Sequence, residues 1–234
     1  MASSLRPDII CGIPTLNRYD LLLPCLQRLG KGSWVPRHIV VIDNGQKLQP
    51  AGLSDCPPFE VITPEEPLCL SASWNLIFNL PNHAPLILLL NDDLFLGQTT
   101  LQRMVGRMRR GRHDVITWQG CWSCLLVNRT VYKEIGPFDE NIRPAYREDN
   151  DWARRLRVVG KRIGTFHDPE TTHLGSQTLA AMTPQERAEF NQAYEQSRRY
   201  YLAKWGGEPD HEVFTVPFDG KEPPQRWHIV SQRV

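Results

Sequence analysis

Net charge is what this sequence has least of: 27 Lys and Arg stand against 26 Asp and Glu, a balance of +1 at pH 7 over 234 residues. Such neutrality supplies no global drive toward nucleic acid or an anionic membrane surface. Long apolar runs are missing too; no stretch offers the roughly 18 consecutive apolar residues of a membrane-spanning helix. The opening MASSLRPDIICGIPT lacks the apolar core of a secretory signal, so a cytoplasmic protein is expected. Cysteine is sparse and badly placed for a framework. Of the six, only Cys121 and Cys124 form C-x-x-C, with no second pair or histidines at ligand spacing to complete a zinc site. In GCWSCLLVN, which reads as a strand, positions i and i+3 point to opposite faces, so reduced, structural cysteines are expected. Internal repeats and low-complexity tracts are absent.

What is present suffices for a core: 41% of residues are hydrophobic and 23% charged. The first part alternates strand and helix. Short β-rich runs lie at Pro7–Thr15, His38–Gly45 (stopped by Asp-Asn-Gly), Pro57–Pro67 and Pro85–Asp93. Helical spacing appears at Arg18–Leu29, which Pro24 is expected to shorten or bend, and at Thr99–Gly111. Ser71–Leu80 reads as a helix capped by Ser71 or Ser73. The alternation predicts an open, mostly parallel α/β sheet flanked by helices. Beyond it come one or two strands and a short helix (Asp114–Gly136), a loop and helix (Phe138–Gly160), a strand and a His-bearing loop (Lys161–Thr178), and a helix opened by Thr-Pro and closed by Gly-Gly (Thr183–Gly206). The proline- and charge-rich remainder is expected to wrap the surface or be partly mobile.

In an open α/β sheet, ligands bind outside the carboxyl ends of the strands. PTLNR, DNG and NDD fall there, and YREDND opens a later helix. The apolar run LILLL leading into Asn91-Asp92-Asp93 poses the main question, because burying two adjacent acids costs several kcal/mol unless something positive meets them. A divalent cation carrying phosphate answers it. A plain turn also uses Asn and Asp, and acids in a first helical turn favour the macrodipole without further function. His167 and Asp168 rival His173 as metal ligands. RMRRGRH (Arg107–His113) reads as a solvated helix end, with a phosphate patch as its alternative.

The ordered set IPTLNR, VVIDNG, SASWN, LLLNDD, IGPFDEN…YREDNDWARRLRVVG and THLGSQT resembles a family 2 inverting glycosyltransferase of the GT-A fold, nearest its rhamnosyltransferase-like branch. The resemblance spans roughly residues 8–178. It implies a Rossmann-like nucleotide-sugar-binding half (1–98) joined to a catalytic and acceptor-binding half (99–207) in one domain (1–207), followed by a tail (208–234). It implies a nucleotide-diphosphate sugar donor (UDP-, GDP- or dTDP-sugar), Mn²⁺ or Mg²⁺, and inversion at the anomeric carbon.

Carried onto this chain, Pro14, Thr15, Asn17 and Arg18 match the loop around the nucleotide. Asp43 matches an acid that accepts from the base, and Trp74 and Asn75 a helix start near nucleotide and sugar. Asn91 and Asp92 fall at the DxD position; Asn91 stands where the first acid often does, leaving Asp93 as the direct metal ligand with His173. Asp149 matches the general base, Glu148 being its rival; both are expected at or just before the first turn of the helix, exposed at the rim. The chemistry suits these residue types: a cation neutralises a diphosphate leaving group, and a carboxylate takes the acceptor's proton. The acceptor is open among a glycan, lipid-linked sugar, protein, small molecule or modified nucleic acid. A metal-dependent nucleotidyltransferase and a non-catalytic nucleotide-sugar-binding module are the alternatives; an early Gly-rich phosphate loop, expected of the former, is lacking.

Overall fold

The computed structural model describes residues 8–49, 53, 55–81, 83–175 and 177–223. Seven strands form one sheet in the order β3-β2-β1-β4-β7-β6-β8. They are β1 (Ile9–Thr15), β2 (His38–Asp43), β3 (Glu60–Ile62), β4 (Leu86–Leu90), β6 (Val115–Trp118), β7 (Cys121–Asn128) and β8 (Ile163–Phe166). Only β7 runs against its neighbours, pairing antiparallel with β4 and β6; the other pairings are parallel. Because β4 pairs with β7, the two halves of the chain share one sheet.

Helices cover both faces, which is why the central strands are apolar without alternation. On β1, Ile9, Cys11 and Ile13 face the layer of α1 (Tyr19–Gly30) and α3 (Thr100–Gly111). Ile10 faces α2 (Leu70–Phe78), α4 (Arg129–Ile135) and α5 (Glu148–Val158). The α2–α5 layer is aromatic: Phe138 packs edge-on to Trp74 and stacks on Trp152, with centroids 4.9 and 4.7 Å away.

Several expectations change. Pro24 does not shorten α1, which runs on to Gly30. Neither Ser71 nor Ser73 caps α2; Cys69 stands at the N-cap without a side-chain bond, and both serines lie buried inside the helix. Asn44 Nδ2 donates to Ser73 Oγ at 3.0 Å, so that hydroxyl ties the end of β2 to α2 instead. A small second sheet, β5 (Leu94–Phe95) with β9 (Thr172–His173), has no counterpart in the strands read from sequence, because two residues carry no periodicity. A short α6 (Gln177–Ala180) precedes the long α7 (Pro184–Trp205). Helix α7 opens with a full capping box between Thr183 and Glu186. The tail as far as 223 lies along α7, with the Val213 and Phe214 N–H groups on the Trp205 carbonyl; residues 224–234 fall outside the described residues.

Candidate active site

The carboxyl ends of β1, β2 and β4 converge. Thr15 and Asp43 are partners in the β1–β2 register, and the Asn91–Asp93 turn follows β4 directly. Thr15 Oγ1 donates to Asp92 Oδ2 at 2.7 Å, joining the first and fourth strand ends in a buried bond. Burial pushes the Asp92 carboxyl up to about 6; the Thr15 hydroxyl opposes this and the Asp93 charge adds to it. The Arg18 guanidinium lies close enough to favour both charges. Two of its nitrogens bond Asp20 at 3.0 and 2.9 Å, while its buried Nη1 has no partner. Asn91 is held by β7, its N–H on the Ser123 carbonyl at 2.9 Å and its Nδ2 on Ser123 Oγ at 3.1 Å.

Asp93 faces His173. Nε2 lies 3.2 Å from Oδ1, yet outside hydrogen-bond geometry, so that buried oxygen has no directed donor among the described residues. The β5–β9 pair brings them together: Leu94 is the register partner of His173, and the Leu174 N–H bonds the Asp93 carbonyl. Contacts with Asp93 and with Cys121 Sγ, 3.7 Å from Nδ1, hold the imidazole up at about 10 against the opposing effect of burial. Burial would raise the Cys121 thiol, but His173 and Ser123 outweigh it and draw it down.

The donor set fits a hard divalent cation in part. Oxygen and nitrogen ligands at about 2.1 Å in adjacent octahedral positions stand about 3 Å apart, close to the observed 3.2 Å. The unpartnered Asp93 oxygen is the acceptor such an ion would use. Among the described residues, no group of three or more His, Cys, Asp or Glu is placed to hold a metal alone, so the remaining ligands must come from elsewhere, as diphosphate oxygens would. Asp168, the rival, is buried and taken up by the Thr100 and Thr171 hydroxyls. His167 is exposed.

Three nucleotide-side residues do more structural work than expected. Asp43 is 1% exposed and takes four internal donors: Tyr19 OH at 2.6 Å and the N–H groups of Gly45, Gln46 and Leu48. It shapes the loop after β2, and that supply leaves little capacity for a base. Gly45 is required there, since a Cβ would meet the Tyr19 hydroxyl at 2.4 Å and Asn17 Oδ1 at 2.6 Å. Trp74 is 2% exposed in the aromatic layer, and Asn75 bonds both backbone groups of Phe138 and the Glu140 carboxylate. Pro14 is buried in β1, while Asn17 is exposed at the rim with φ +56°.

Glu148 and Asp149 were expected exposed; they are not. Glu148 is 4% exposed and its Oε2 has no partner among the described residues. Burial, then the Asp149 charge, raises its carboxyl well above the usual range. Asp149 is half-buried, accepts the Asn150 N–H at 2.7 Å, and is raised by burial. The cause is the preceding loop, where Tyr146 and Arg147 are both left-handed, with φ +72° and +80°. Such backbone persists only where surroundings over-determine it, and α7 supplies them. Tyr146 packs edge-on to Phe190 and Tyr194, and Arg147 bonds the Tyr194 hydroxyl at 3.3 Å and Glu208 at 3.2 Å. Sequence reasoning missed Tyr19 and Ser123, since a lone aromatic or serine carries no motif, and it read Cys121 of the C-x-x-C as merely structural.

The sequence profile of Glycosyl transferase family 2 matches residues 11–183. No curated protein matches the chain. Among solved structures, residues 1–349 of S. aureus TarS in complex with UDP-GlcNAc superpose at TM-score 0.59 with 14% identity, over 83% of this chain and 70% of that one. A mannosyltransferase from Pyrobaculum calidifontis in complex with GDP-Man and Mn²⁺ gives TM-score 0.59 and 12% identity, over 86% and 75%. Against the longer TarS structure the chain spans 43% of that protein's length. These likenesses show a shared GT-A fold, and the profile covers most of the sequence: the chain belongs to glycosyltransferase family 2.

Proposed function

We propose that this protein transfers a sugar from a nucleotide diphosphate to an acceptor hydroxyl, with inversion, using a divalent cation and Asp149 as general base. The observation that carries the reading is the Asp92–Asp93 turn after β4, with Asp92 bonded to Thr15 and Asp93 set against His173. Asp93 and His173 would hold Mn²⁺ or Mg²⁺, and when bound the ion neutralises charge on the departing diphosphate. Arg18 adds fixed positive charge beside it. Residues 14–18 and the loop shaped by Asp43 would border the nucleotide, and Asn91, held by Ser123, would fix the turn. Asp149 takes the acceptor proton in its ionised form, while Glu148 lies deeper beside it, where burial raises its carboxyl well above the usual range.

UDP- and GDP-sugars are the first donors to try, since neighbours of the same fold hold them; the motif order keeps dTDP-sugars and a rhamnosyltransferase-like role in view. We read residues 1–207 as one catalytic unit. The acceptor would be a glycan, lipid-linked sugar, protein, small molecule or modified nucleic acid. Among the described residues no helix is long and apolar enough to cross a membrane.

The test is a donor panel assayed for nucleotide-diphosphate release with Mn²⁺, Mg²⁺ or excess chelator. At least one donor should be hydrolysed slowly with metal and not with chelator. Asp93→Ala should lose metal-dependent nucleotide binding. Full turnover in chelator would sink the metal assignment.

A further inference from the structure

The hairpin joining β6 to β7 turns on Gln119 and Gly120, both left-handed at φ +50° and +78°, as a two-residue type I′ turn requires. The residues flanking it, Trp118 and Cys121, are register partners, and both reach the His173 ring. Trp118 stands edge-on to it, centroids 6.5 Å apart at 88°. Cys121 Sγ lies 3.7 Å from Nδ1, while Nε2 on the other side of the ring faces Asp93 at 3.2 Å.

Thiol, imidazole and carboxylate therefore stand in series. The two ring nitrogens diverge, so Cys121 and Asp93 cannot share one ion through this histidine. What the thiol can do is orient the ring. A histidine that ligates through one nitrogen is aligned, and its tautomer chosen, by the bond at the other. The β5–β9 pairing fixes the His173 backbone but leaves its side-chain torsions free. Trp118 restricts one direction of rotation, and a partner at Nδ1 settles the rest. Cys124 has no part in this: it is buried in the core, its thiol 3.8 Å from Met104 Sδ.

We propose that Cys121 is a positioning residue, its sulfur holding Nδ1–H of His173 so that the Nε2 lone pair points to the Asp93 side where the cation would bind. The proposal rests on the metal reading above. Two measurements separate the two claims. Long-range ¹H–¹⁵N spectra of the imidazoles, taken with Mg²⁺ and UDP or GDP, should place the His173 proton on Nδ1 in wild type. Cys121→Ala should move the Nδ1 resonance and leave part of His173 unliganded at the same Mg²⁺ concentration, and Cys121→Ser should restore most of the wild-type pattern. Mn²⁺ affinity, read by electron paramagnetic resonance with UDP and GDP as probes, should fall about 10–100-fold in Cys121→Ala and less in Cys121→Ser, with thermal unfolding little changed. Unaltered ring shifts and Mn²⁺ affinity in Cys121→Ala would overturn the positioning role. Wild-type Mn²⁺ affinity in His173→Ala would overturn the proposal through its premise, the metal reading, whatever the ring spectra show.

Discussion

Two adjacent carboxyls at the start of α5 show how burial divides a role. Neighbouring positions on a helix cannot face the same way, and here one side chain is sealed while the other keeps contact with solvent. Glu148 Oε2 has no partner among the described residues, and burial, then the Asp149 charge, raises the carboxyl well above the ordinary range. Asp149 is raised less steeply, with the Asn150 N–H and Arg147 working against burial. As the base it must be ionised, so turnover should climb as pH rises through a carboxyl pKa above the usual range. Asp149→Asn should cost about 10²–10⁴-fold in transfer rate while donor affinity persists. Glu148→Gln, nearly isosteric with the protonated acid, should cost much less and leave the pH profile little changed, because burial and not the Glu148 charge is what raises Asp149. Transfer rates and donor affinity across pH check both variants. Near-normal transfer in Asp149→Asn would remove it from the role, and a larger loss in Glu148→Gln would hand the role to its neighbour.

The packing of α2 on β1 depends on a missing side chain. Gly12 sits mid-strand, where glycine ordinarily weakens a sheet. A Cβ there would lie 2.3–2.6 Å from three atoms of Ile77, itself fully buried. The close approach lets α2 present Ser73 to Asn44 and Asn75 to the 138–140 segment. Gly12→Ala should therefore destabilise by about 1–3 kcal/mol, the range for overpacking. Trimming the neighbour, as in Gly12→Ala with Ile77→Val, should recover part of it. Urea unfolding of the single and double variants measures the coupling; a fully stable Gly12→Ala would mean that α2 does not press on the strand.

At the scale of the molecule, α7 braces the 139–151 segment although the family profile ends just before it, at residue 183. Ser197 accepts the Arg143 N–H at 2.9 Å and donates to the Arg143 carbonyl at 2.6 Å. Lys204 Nζ, 8% exposed, bridges Asp139 at 2.6 Å and Asp151 at 2.7 Å, while Trp205 Nε1 also donates to Asp151. Burial would raise Asp139, but Lys204, the Asn141 N–H and the Tyr200 hydroxyl hold it down at about 2. A depressed carboxylate contributes stability that is present above its unfolded pKa and lost as pH falls through the folded one. Wild-type stability should thus decline on acidification between about pH 4 and pH 2. Lys204→Met takes the lysine partner from buried Asp139, while Asp151 keeps Arg155 at 2.8 Å, and should cost about 3–5 kcal/mol at neutral pH. Its deficit should narrow in acid, as Asp139 takes up a proton. Denaturant unfolding from pH 7 to pH 2 tests this, and a constant deficit would contradict it.

Local chemistry made much of this protein legible from sequence. Apolar runs ending in polar turns mark β1, β2 and β4, because a strand covered on both faces must be apolar until it leaves the layer. The same rule puts PTLNR, DNG and NDD at one rim, and Thr-Pro with Gly-Gly bounds α7. Contacts between residues far apart in the chain were another matter. Only the folded sheet sets Thr15 against Asp92, 77 positions away, and only the two-residue pairing of β5 with β9 turns His173 toward Asp93. Glu148 and Asp149 read as exposed because their first turn is acidic. It is α7, arriving some 40 residues later, that packs on the loop before them, and burial raises both carboxyls. The sequence determined which backbone segments could be strand or helix, since that depends on neighbours in the chain. Burial, and with it the pKa of each acid and the partner of each ring nitrogen, depends on neighbours in space, and that only the tertiary structure decided.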